Sequence, residues 1–487
     1  AHPIFWVMMF AGVIIGLIFG IIPGVSSILA LTLFLPFVFT MSPDMALPFM
    51  TALTSVTYFG GSVTAILLNI PGTEPSAATL IDGYPMAQRG EGGRAMGAAF
   101  TASALGGVLT VFFALAMIPF LLIFIQALQN AEMVFIVLLG IVFIAILASG
   151  SMIKGLISGS LGLLISLVGY QEVTGLPRFT FGNVYLYSGV PLVPLALGLF
   201  ALPEMLALAM RGGTIARITQ VKVKGMEDVW RGARDVLHHK WLWLRSCTIG
   251  YIVGIVPGIG AITSTFVAYA QAKQTSKYPE KFGTGIVDGV IAPESANNAT
   301  MAGSLLTTLA LGLPGSAPMA LFLGAFYVMG WVPGPKVLID HLDLSLALML
   351  VVVVANIIAA AMSFPLATYM AKVAFIPARI LSPIIIVIAF VGAYAVNEYY
   401  LDIVLALVFT VVGLAMRKWN YNRPAVLLGY VLGVLFERYF FLARAIGGPL
   451  FFIGRPICLI LIALILLVVL NKPVKILLRR LNRAGAA

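Results

Sequence analysis

Long apolar stretches separated by short polar connections run along almost the whole chain. None of them alternates between apolar and polar positions, as a membrane β-strand would, so helices are the remaining way to satisfy the backbone in lipid. Because a spanning helix needs about 20 apolar residues and several stretches are interrupted, the pattern predicts an all-α polytopic membrane protein with about 10 to 13 transmembrane helices. The stretches are Ile4–Ile22, Val25–Phe39, Met45–Leu68, Ala95–Ile125, Met133–Leu147, Met152–Gly169, Val184–Met210, Ser246–Tyr269, Met301–Trp331, Leu344–Lys372, Ser382–Val396, Ile403–Met416, Pro424–Phe441 and Phe451–Asn471.

The composition excludes a water-soluble globular enzyme. Of the 487 residues, 61% are hydrophobic and only 10% are charged, whereas a soluble domain carries about 25% charged residues. The two cysteines, Cys247 and Cys458, are far apart and form no CxxC pair, so the sequence offers neither a disulfide framework nor a thiolate metal site. The pair His238-His239 in Asp235–Arg245 is interpreted as a solvated loop pair. We therefore expect no cofactor and no structural metal.

The net charge of +11 is concentrated in two segments. Arg211–Arg245 contains eight basic and three acidic residues, and the tail from Lys472 onward contains five basic residues and no acidic one. The positive-inside rule places both in the cytoplasm, where they contact anionic lipid headgroups, so the charge does not indicate a nucleic-acid partner. The rule is strained only in the last hairpin, where three basic side chains would lie outside or within the membrane. They are Arg438, Arg444 and Arg455.

Two matched sequence boxes lie on either side of the central basic segment. Gly16–Val25 aligns without gaps on Gly250–Ile259, with six of ten positions identical, and Pro71–Pro75 pairs with Pro314–Pro318 in the same order. The boxes predict two related membrane repeats. The predicted organisation is a first repeat at 1–210, a basic cytoplasmic linker at 211–245, a second repeat at 246–471 and a basic cytoplasmic tail at 472–487.

Proline and glycine together favour a break inside a spanning helix, because proline removes a backbone hydrogen bond and glycine removes conformational restraint. The freed N–H and C=O groups are tolerated in lipid only where they line a cavity or bind a ligand, and broken helices at matching positions of two repeats indicate a transporter's binding site. The alternative is that the glycines around each box merely form small-residue faces for helix packing. Packing alone does not require the same break twice, which favours the transporter.

Two further segments are polar within otherwise apolar surroundings. They are Asn69–Thr79, which runs into Asp82–Pro85, and Asp288–Thr300. Both could be solvated loops, but neutral carbonyl and hydroxyl oxygens with a few carboxylates also suit a hard cation. The candidate cation-binding residues are Asn69, Thr263, Ser264, Asn297 and Asn298.

These residues resemble those of a known family, the large membrane subunit of bacterial tripartite tricarboxylate transporters. Specific motifs carry the resemblance from Gly12 to Pro335, and hydropathy alone extends it to the C-terminus. Besides the two Pro-Gly boxes, the motifs are Asn69–Thr73, Asp82–Pro85, Phe282–Gly285, Ala292–Ala299, Leu311–Ser316 and Pro333–Pro335.

The resemblance implies a translocation subunit in the bacterial inner membrane. Its partners would be a small membrane subunit and a periplasmic solute-binding protein, its substrates di- or tricarboxylates and related organic anions, and its driving force a cation gradient. Homodimerisation is left open. The resemblance further implies that Pro23, Gly24, Pro257 and Gly258 break the helices, and that two opposing tips are formed by Asn69, Pro71, Gly72, Thr73 and by Pro314, Gly315, Ser316, with Asn297 and Asn298 in the same region.

The expected mechanism is that of an elevator-type secondary transporter. A carboxylate would bind between the Pro-Gly tips, held by backbone N–H groups and by small hydroxyl side chains, while Na⁺, or alternatively H⁺, drives its movement. The hydroxyl side chains are those of Ser26, Ser27, Thr73 and Ser316.

Two other function classes are possible for a polytopic membrane protein. A stand-alone proton-coupled carrier or a channel would need no partner subunits. An intramembrane hydrolase would need two intramembrane aspartates, or a serine with a histidine in reach. Asp82 and Asp288 flank the polar segments and do not lie in mid-span, so the sequence predicts that the protein is not an enzyme.

Overall fold

The computed structural model describes residues 3–147, 151–171, 174–211, 225–331, 333–370 and 378–484. Part of the predicted central basic segment, 212–224, and the end of the tail, 485–487, lie outside these residues. The described chain is almost entirely helical, with one short hairpin of β1 (Gly169–Tyr170) and β2 (Pro177–Arg178). The helices are α1 Pro3–Ile21, α2 Ser27–Phe39, α3 Pro43–Leu68, α4 Ala77–Gln88, α5 Gly92–Gln126, α6 Asn130–Leu147, α7 Met152–Ser166, α8 Leu192–Ala196, α9 Leu202–Arg211, α10 Met226–His238, α11 Lys240–Ile255, α12 Gly260–Thr275, α13 Asp288–Leu311, α14 Ala317–Val328, α15 Pro335–Asp340, α16 Leu342–Met370, α17 Ala378–Ala395, α18 Tyr400–Lys418, α19 Arg423–Gly447 and α20 Pro456–Ala484.

The prediction of an all-α polytopic membrane protein is confirmed. Among the described residues, seven helices are long and apolar enough to cross a membrane, and several shorter apolar helices accompany them. The seven are Pro3–Ile21, Pro43–Leu68, Gly92–Gln126, Leu192–Met210, Leu342–Ala367, Tyr400–Lys418 and Arg423–Gly447.

The chain forms two compact units. The first combines residues 1–121 with 192–414, and the second combines 122–191 with 415–487. This division follows spatial contacts and differs from the predicted repeats, which are defined by sequence similarity. The repeat organisation therefore stays a prediction.

In the first unit, glycines bring helix backbones into direct contact. A Cβ atom on Gly16 of α1 would lie 2.7 Å from the Leu53 carbonyl oxygen of α3, and one on Gly250 of α11 would lie 2.7 Å from the Ala296 Cα of α13. Small residues at such spacing let two membrane helices approach closely. The glycine faces thus pack α1 on α3 and α11 on α13, so the packing interpretation holds for these glycines as well.

The two polar segments are mostly helical and buried, and the loop interpretation is wrong for most of their length. Asp82–Pro85 lies inside α4, and Asp288–Thr300 forms the first half of α13, where every residue from Gly289 to Ala310 is buried. A helix surrounded by protein on all sides can carry polar groups, because these groups contact neighbouring helices and do not contact lipid.

The described part of the basic segment, 225–245, is mostly helical and belongs to α10 and α11. His239 lies between α10 and α11, and its Nε2 is 3.2 Å from the Asp288 carboxylate. Arg94 at the start of α5 donates to Asp235 of α10 at 2.5 Å. His238 is exposed at the end of α10 and the His239 side chain is 39% exposed, so the pair is solvated but lies at a helix end and not in a loop.

The second unit consists of α6, α7, α19, α20 and the hairpin. Glu132 in the first turn of α6 is buried and ion-paired with Arg455, which precedes α20. Arg178 of the hairpin is paired with Glu437 of α19 at 2.6 Å. Arg455, which strained the positive-inside rule, thus has its charge neutralised by a carboxylate.

Candidate functional site

Each Pro-Gly box lies in a break between two helices of the first unit. Pro23-Gly24 separates α1 from α2, and Pro257-Gly258 separates α11 from α12. Gly24 and Gly258 have φ angles of 80° and 77°, a region that side chains other than glycine rarely adopt. The sequence therefore ends each first helix with a turn that is specific to glycine, and the next helix starts inside the protein.

The two predicted tips are formed by the chain leaving α3 and α13. Asn69 and Gly312 end these helices in left-handed conformations. The Gly72 N–H then donates to the Gly61 carbonyl at 3.3 Å, and the Gly315 N–H donates to the Thr308 hydroxyl at 3.3 Å. Each tip is therefore folded back on the helix that precedes it.

Only glycine fits at the two tips. A Cβ on Gly72 would lie 2.7 Å from the Gly61 Cα, and a Cβ on Gly315 would lie 2.8 Å from Ser304 Cβ and 3.0 Å from the Gly254 carbonyl oxygen. Real Cβ atoms essentially never come closer than 3.0 Å. The close fit fixes the position of the helices that follow, α4 and α14.

The second tip, which precedes α14, lies close to the first helix break, which precedes α2. The Tyr58 hydroxyl of α3 lies close to the side chains of both Ser27 and Ser316 and within reach of the Glu74 charge. Ser27 is the first residue of α2, and Ser316 is the N-cap of α14 but makes no capping bond with its side chain. Three hydroxyl groups and the N-termini of two helices therefore converge.

The convergence of helix N-termini is suited to an anion. The free N–H groups of a first helical turn carry partial positive charge and point at whatever lies beyond the helix end. At α2, Ser26 occupies one of them by accepting from the Leu29 N–H at 3.3 Å. The arrangement offers N–H and O–H donors to a carboxylate.

The remaining predicted site residues fall into separate environments. Thr73 and Ser76 are buried and bond each other within the turn before α4, where Ser76 donates to the Thr73 carbonyl at 2.7 Å. Pro257 lies beside the second tip, because the neighbouring Gly258 N–H donates to the Pro314 carbonyl at 3.2 Å. Asn69 is exposed at the end of α3.

The predicted cation residues lie on three helices: Asn69 at the end of α3, Thr263 and Ser264 in α12, and Asn297 and Asn298 in α13. Ser264 of α12 shares a hydrogen bond of 2.7 Å with Thr300 of α13, which ties these two helices together. In the described part of the chain, no hydrogen bond links Asn69 or Thr263 to Asn297 or Asn298, which lie buried in α13. Within the described residues, no group of three His, Cys, Asp or Glu side chains could hold a metal ion.

Asp82 has a structural position that the sequence did not reveal. Its Oδ1 accepts from the backbone N–H groups of Gly283, Gly285 and Ile286 at 2.9, 2.7 and 3.1 Å. Its Oδ2 accepts from the Tyr269 hydroxyl at 2.8 Å. Arg89 donates to the carbonyls of Thr284 and Gly285 in the same loop. The motif around Asp82 thus holds the loop before α13.

Comparison with known proteins identifies the family. Residues 6–428 match the family described as "Tripartite tricarboxylate transporter TctA family". The chain belongs to this family. It is the large membrane subunit of a tripartite tricarboxylate transporter, a multi-pass inner-membrane protein and not an enzyme.

Two curated relatives support the assignment to the TctA family. An uncharacterized 52.8 kDa protein in the TAR-I ttuC' 3' region of Agrobacterium vitis is 34% identical over 464 residues, covering 95% of this chain and 91% of the relative. An uncharacterized protein in the TAR-II ttuC' 3' region of the same organism is 34% identical over 217 residues, covering 44% of this chain and 90% of the relative. No solved structure matches the chain.

The sequence interpretation missed Tyr58, which lies in the middle of an apolar stretch and has only 5% of its surface exposed. Its two serine partners are remote along the chain, so the apolar pattern alone could not pair them. The available signal was the density of hydroxyl residues in α3, a helix that is buried along its whole spanning window.

Proposed function

We propose that the chain imports di- or tricarboxylates, or related organic anions, in a cation-coupled tripartite transporter. A periplasmic solute-binding protein delivers the anion, a small membrane subunit completes the membrane part, and Na⁺ is the coupling ion. The substrate binds between the two tips and the helix breaks. The observation that carries the proposal is the convergence of Ser27, Tyr58 and Ser316 at the N-termini of α2 and α14.

The chemistry of this region supports an anionic substrate. The donors are neutral, so an anion can be bound through hydrogen bonds and helix ends and released again without breaking an ion pair. In the proposed cycle one repeat moves against the other and exposes the tips alternately to either side of the membrane.

Uptake in proteoliposomes tests the function. The chain is reconstituted with a small membrane subunit and a periplasmic solute-binding protein of the same transport system, and uptake of labelled citrate and of a labelled dicarboxylate is measured under an imposed Na⁺ or pH gradient. We expect saturable uptake that requires the binding protein and an inward Na⁺ gradient. Uptake that did not depend on the Na⁺ or the pH gradient would contradict cation coupling. Uptake without the binding protein would favour a stand-alone carrier.

Tyr58→Phe should weaken substrate binding without unfolding the protein. A hydrogen bond to a charged group contributes about 1.5–3 kcal/mol, so we expect the KM for the anion to rise about 10- to 100-fold. The matched control is Tyr251→Phe, because the Tyr251 hydroxyl is equally buried but has no hydrogen-bond partner in the described part of the chain. Equal KM values for the two variants would remove Tyr58 from the substrate site.

A further inference from the structure

The first unit contains a buried carboxylate that the proposed substrate site does not use. Glu294 of α13 has no exposed surface. We call it, together with Ser62 of α3, Thr79 of α4, Ser103 of α5 and Asn297 of α13, the Glu294 cluster. All five side chains are at most 1% exposed, so four helices enclose the carboxylate.

Two hydroxyl groups orient the carboxylate. The Thr79 hydroxyl donates to Glu294 Oε1 at 2.5 Å, and the Ser103 hydroxyl donates to Oε2 at 2.7 Å. Each carboxylate oxygen therefore has a hydroxyl group at hydrogen-bond distance, and the Ser103 hydroxyl also lies 3.2 Å from the Glu294 backbone carbonyl oxygen.

The charge of Glu294 is not neutralised by a basic side chain. In the part of the chain that the structure describes, no Lys, Arg or His forms an ion pair with it, and every group that acts on its charge is neutral. An isolated charge inside a protein is strongly unfavourable unless it is paired or binds a cation. Glu294 therefore needs a proton or a bound cation to neutralise it.

Unused oxygen atoms surround the same carboxylate. Among the described residues, the Ser62 hydroxyl and both polar atoms of the Asn297 side chain are buried with no partner at hydrogen-bond distance, and both side chains lie near the Glu294 carboxyl group. In the same part of the chain, Asn298 Oδ1 is also buried without a partner. Because Asn297 and Asn298 are three and four residues beyond Glu294, they share its face of the helix.

The unused oxygens favour a metal cation over a proton. A proton on Glu294 could donate to only one acceptor, whereas a hard cation such as Na⁺ binds several carboxylate, carbonyl and hydroxyl oxygens at once.

Asn356 of α16 holds the Asn298 side chain in place. It accepts from Asn298 Nδ2 at 2.6 Å and itself donates to the Ser55 hydroxyl at 2.9 Å. The Asn298 amide nitrogen is thereby used, and its oxygen stays free for a ligand.

We propose that Glu294, Ser62 and Asn297 bind one Na⁺ ion, with Thr79 and Ser103 as positioning residues for the carboxylate. Its role as the coupling ion rests on the function proposed above, whereas binding of Na⁺ does not. Ser62 follows Gly61, whose carbonyl accepts from Gly72 at the first tip. Thr79 lies in α4, which begins directly after that tip. Occupation of the site would thus influence the tip through two short chain segments.

Thermal unfolding of the full chain in nanodiscs tests the site. The Tm is measured against Na⁺ concentration, with K⁺ or choline holding the ionic strength constant. A ligand that binds only the folded state raises the Tm in a saturable way. We expect a rise specific to Na⁺ that is absent in Glu294→Gln. In Thr79→Val, the half-saturating Na⁺ concentration should increase by about tenfold.

Asn297→Ala and Ser62→Ala keep the test valid if Glu294→Gln does not fold. We expect each to raise the half-saturating Na⁺ concentration by about tenfold or more. The control is Ser382→Ala in α17, which removes another buried hydroxyl without a partner and should leave the Na⁺ response unchanged. A Tm that responds to pH but not to Na⁺ would mean that Glu294 takes up a proton, and the Na⁺ site would be wrong.

The experiments distinguish an incorrect Na⁺ site from an incorrect transport function. If Na⁺ stabilises the protein through Glu294 while uptake ignores the Na⁺ gradient, the proposed coupling is wrong and the site stands. If the gradient drives uptake and Glu294→Gln keeps the same Na⁺ dependence, the site is wrong and the function stands.

Discussion

Carboxylate uptake by Gly315→Ala is expected to fall by about 10- to 100-fold or more, because the added Cβ displaces the second tip. This Cβ would lie 2.8 Å from Ser304 Cβ and 3.0 Å from the Gly254 carbonyl oxygen, and these atoms belong to tightly packed helices. Displacing the tip separates Ser316 from Tyr58 and removes at least one hydrogen bond to the anion, which contributes about 1.5–3 kcal/mol. Gly72→Ala should act in the same way at the first tip.

The matched control is Gly159→Ala in α7 of the second unit. Its Cβ would meet only an Ile141 methyl group at 3.5 Å, an ordinary van der Waals distance. Its uptake should equal that of the parent protein. Initial rates are measured in proteoliposomes at equal amounts of reconstituted, monodisperse protein, so that a loss of folded protein is not counted as a loss of transport. Normal uptake by both Gly315→Ala and Gly72→Ala would place the substrate site elsewhere.

The helix breaks could be predicted from the sequence because they depend on local residues. Pro23-Gly24 and Pro257-Gly258 interrupt their helices wherever the rest of the chain lies, since proline removes a hydrogen bond and glycine permits a positive φ. The same holds for the tip glycines, whose boxes are short and distinctive. The all-helical fold followed equally from the apolar stretches.

Tyr58 could not be predicted because its partners are remote in sequence. Ser27 lies in the preceding helix, and Ser316 is more than 250 residues further along the chain. The surrounding hydroxyl residues are not specific either. Thr54 and Thr57, for example, donate to carbonyls of their own helix at 2.7 and 2.6 Å. A hydroxyl-rich helix therefore indicates burial but not which hydroxyl faces a ligand.

The sequence did not reveal that the first half of α13 is a buried helix, because this half is rich in polar residues. Averaged hydropathy makes Asp288–Thr300 look like a loop, yet a helix enclosed by α3, α4, α11 and α12 does not face lipid. The spacing of Glu294, Asn297 and Asn298 was the readable signal, because residues three and four apart share one helix face. Whether that face meets protein or water depends on tertiary packing, which the sequence pattern did not contain.

Arg455→Met should strongly destabilise the second unit, because it leaves Glu132 buried as an unpaired charge. Glu132 has no exposed surface, and Arg455 also donates to Gln129 Oε1 at 2.6 Å. Removing one partner of a buried ion pair costs about 3–5 kcal/mol. Opening of the unit should therefore become more than about 100-fold more frequent, since about 1.4 kcal/mol corresponds to a factor of ten.

The two native cysteines measure this effect without added probes. Cys458 is buried in a cluster with Ala131 and Ala443 of the second unit, whereas Cys247 is buried in the first unit. In Arg455→Met, thiol labelling of Cys458 should accelerate while labelling of Cys247 keeps its rate. The double variant Glu132→Gln/Arg455→Met should regain most of the lost protection, because no unpaired charge remains. A double variant as labile as the sum of its single variants would show that the two side chains do not stabilise each other.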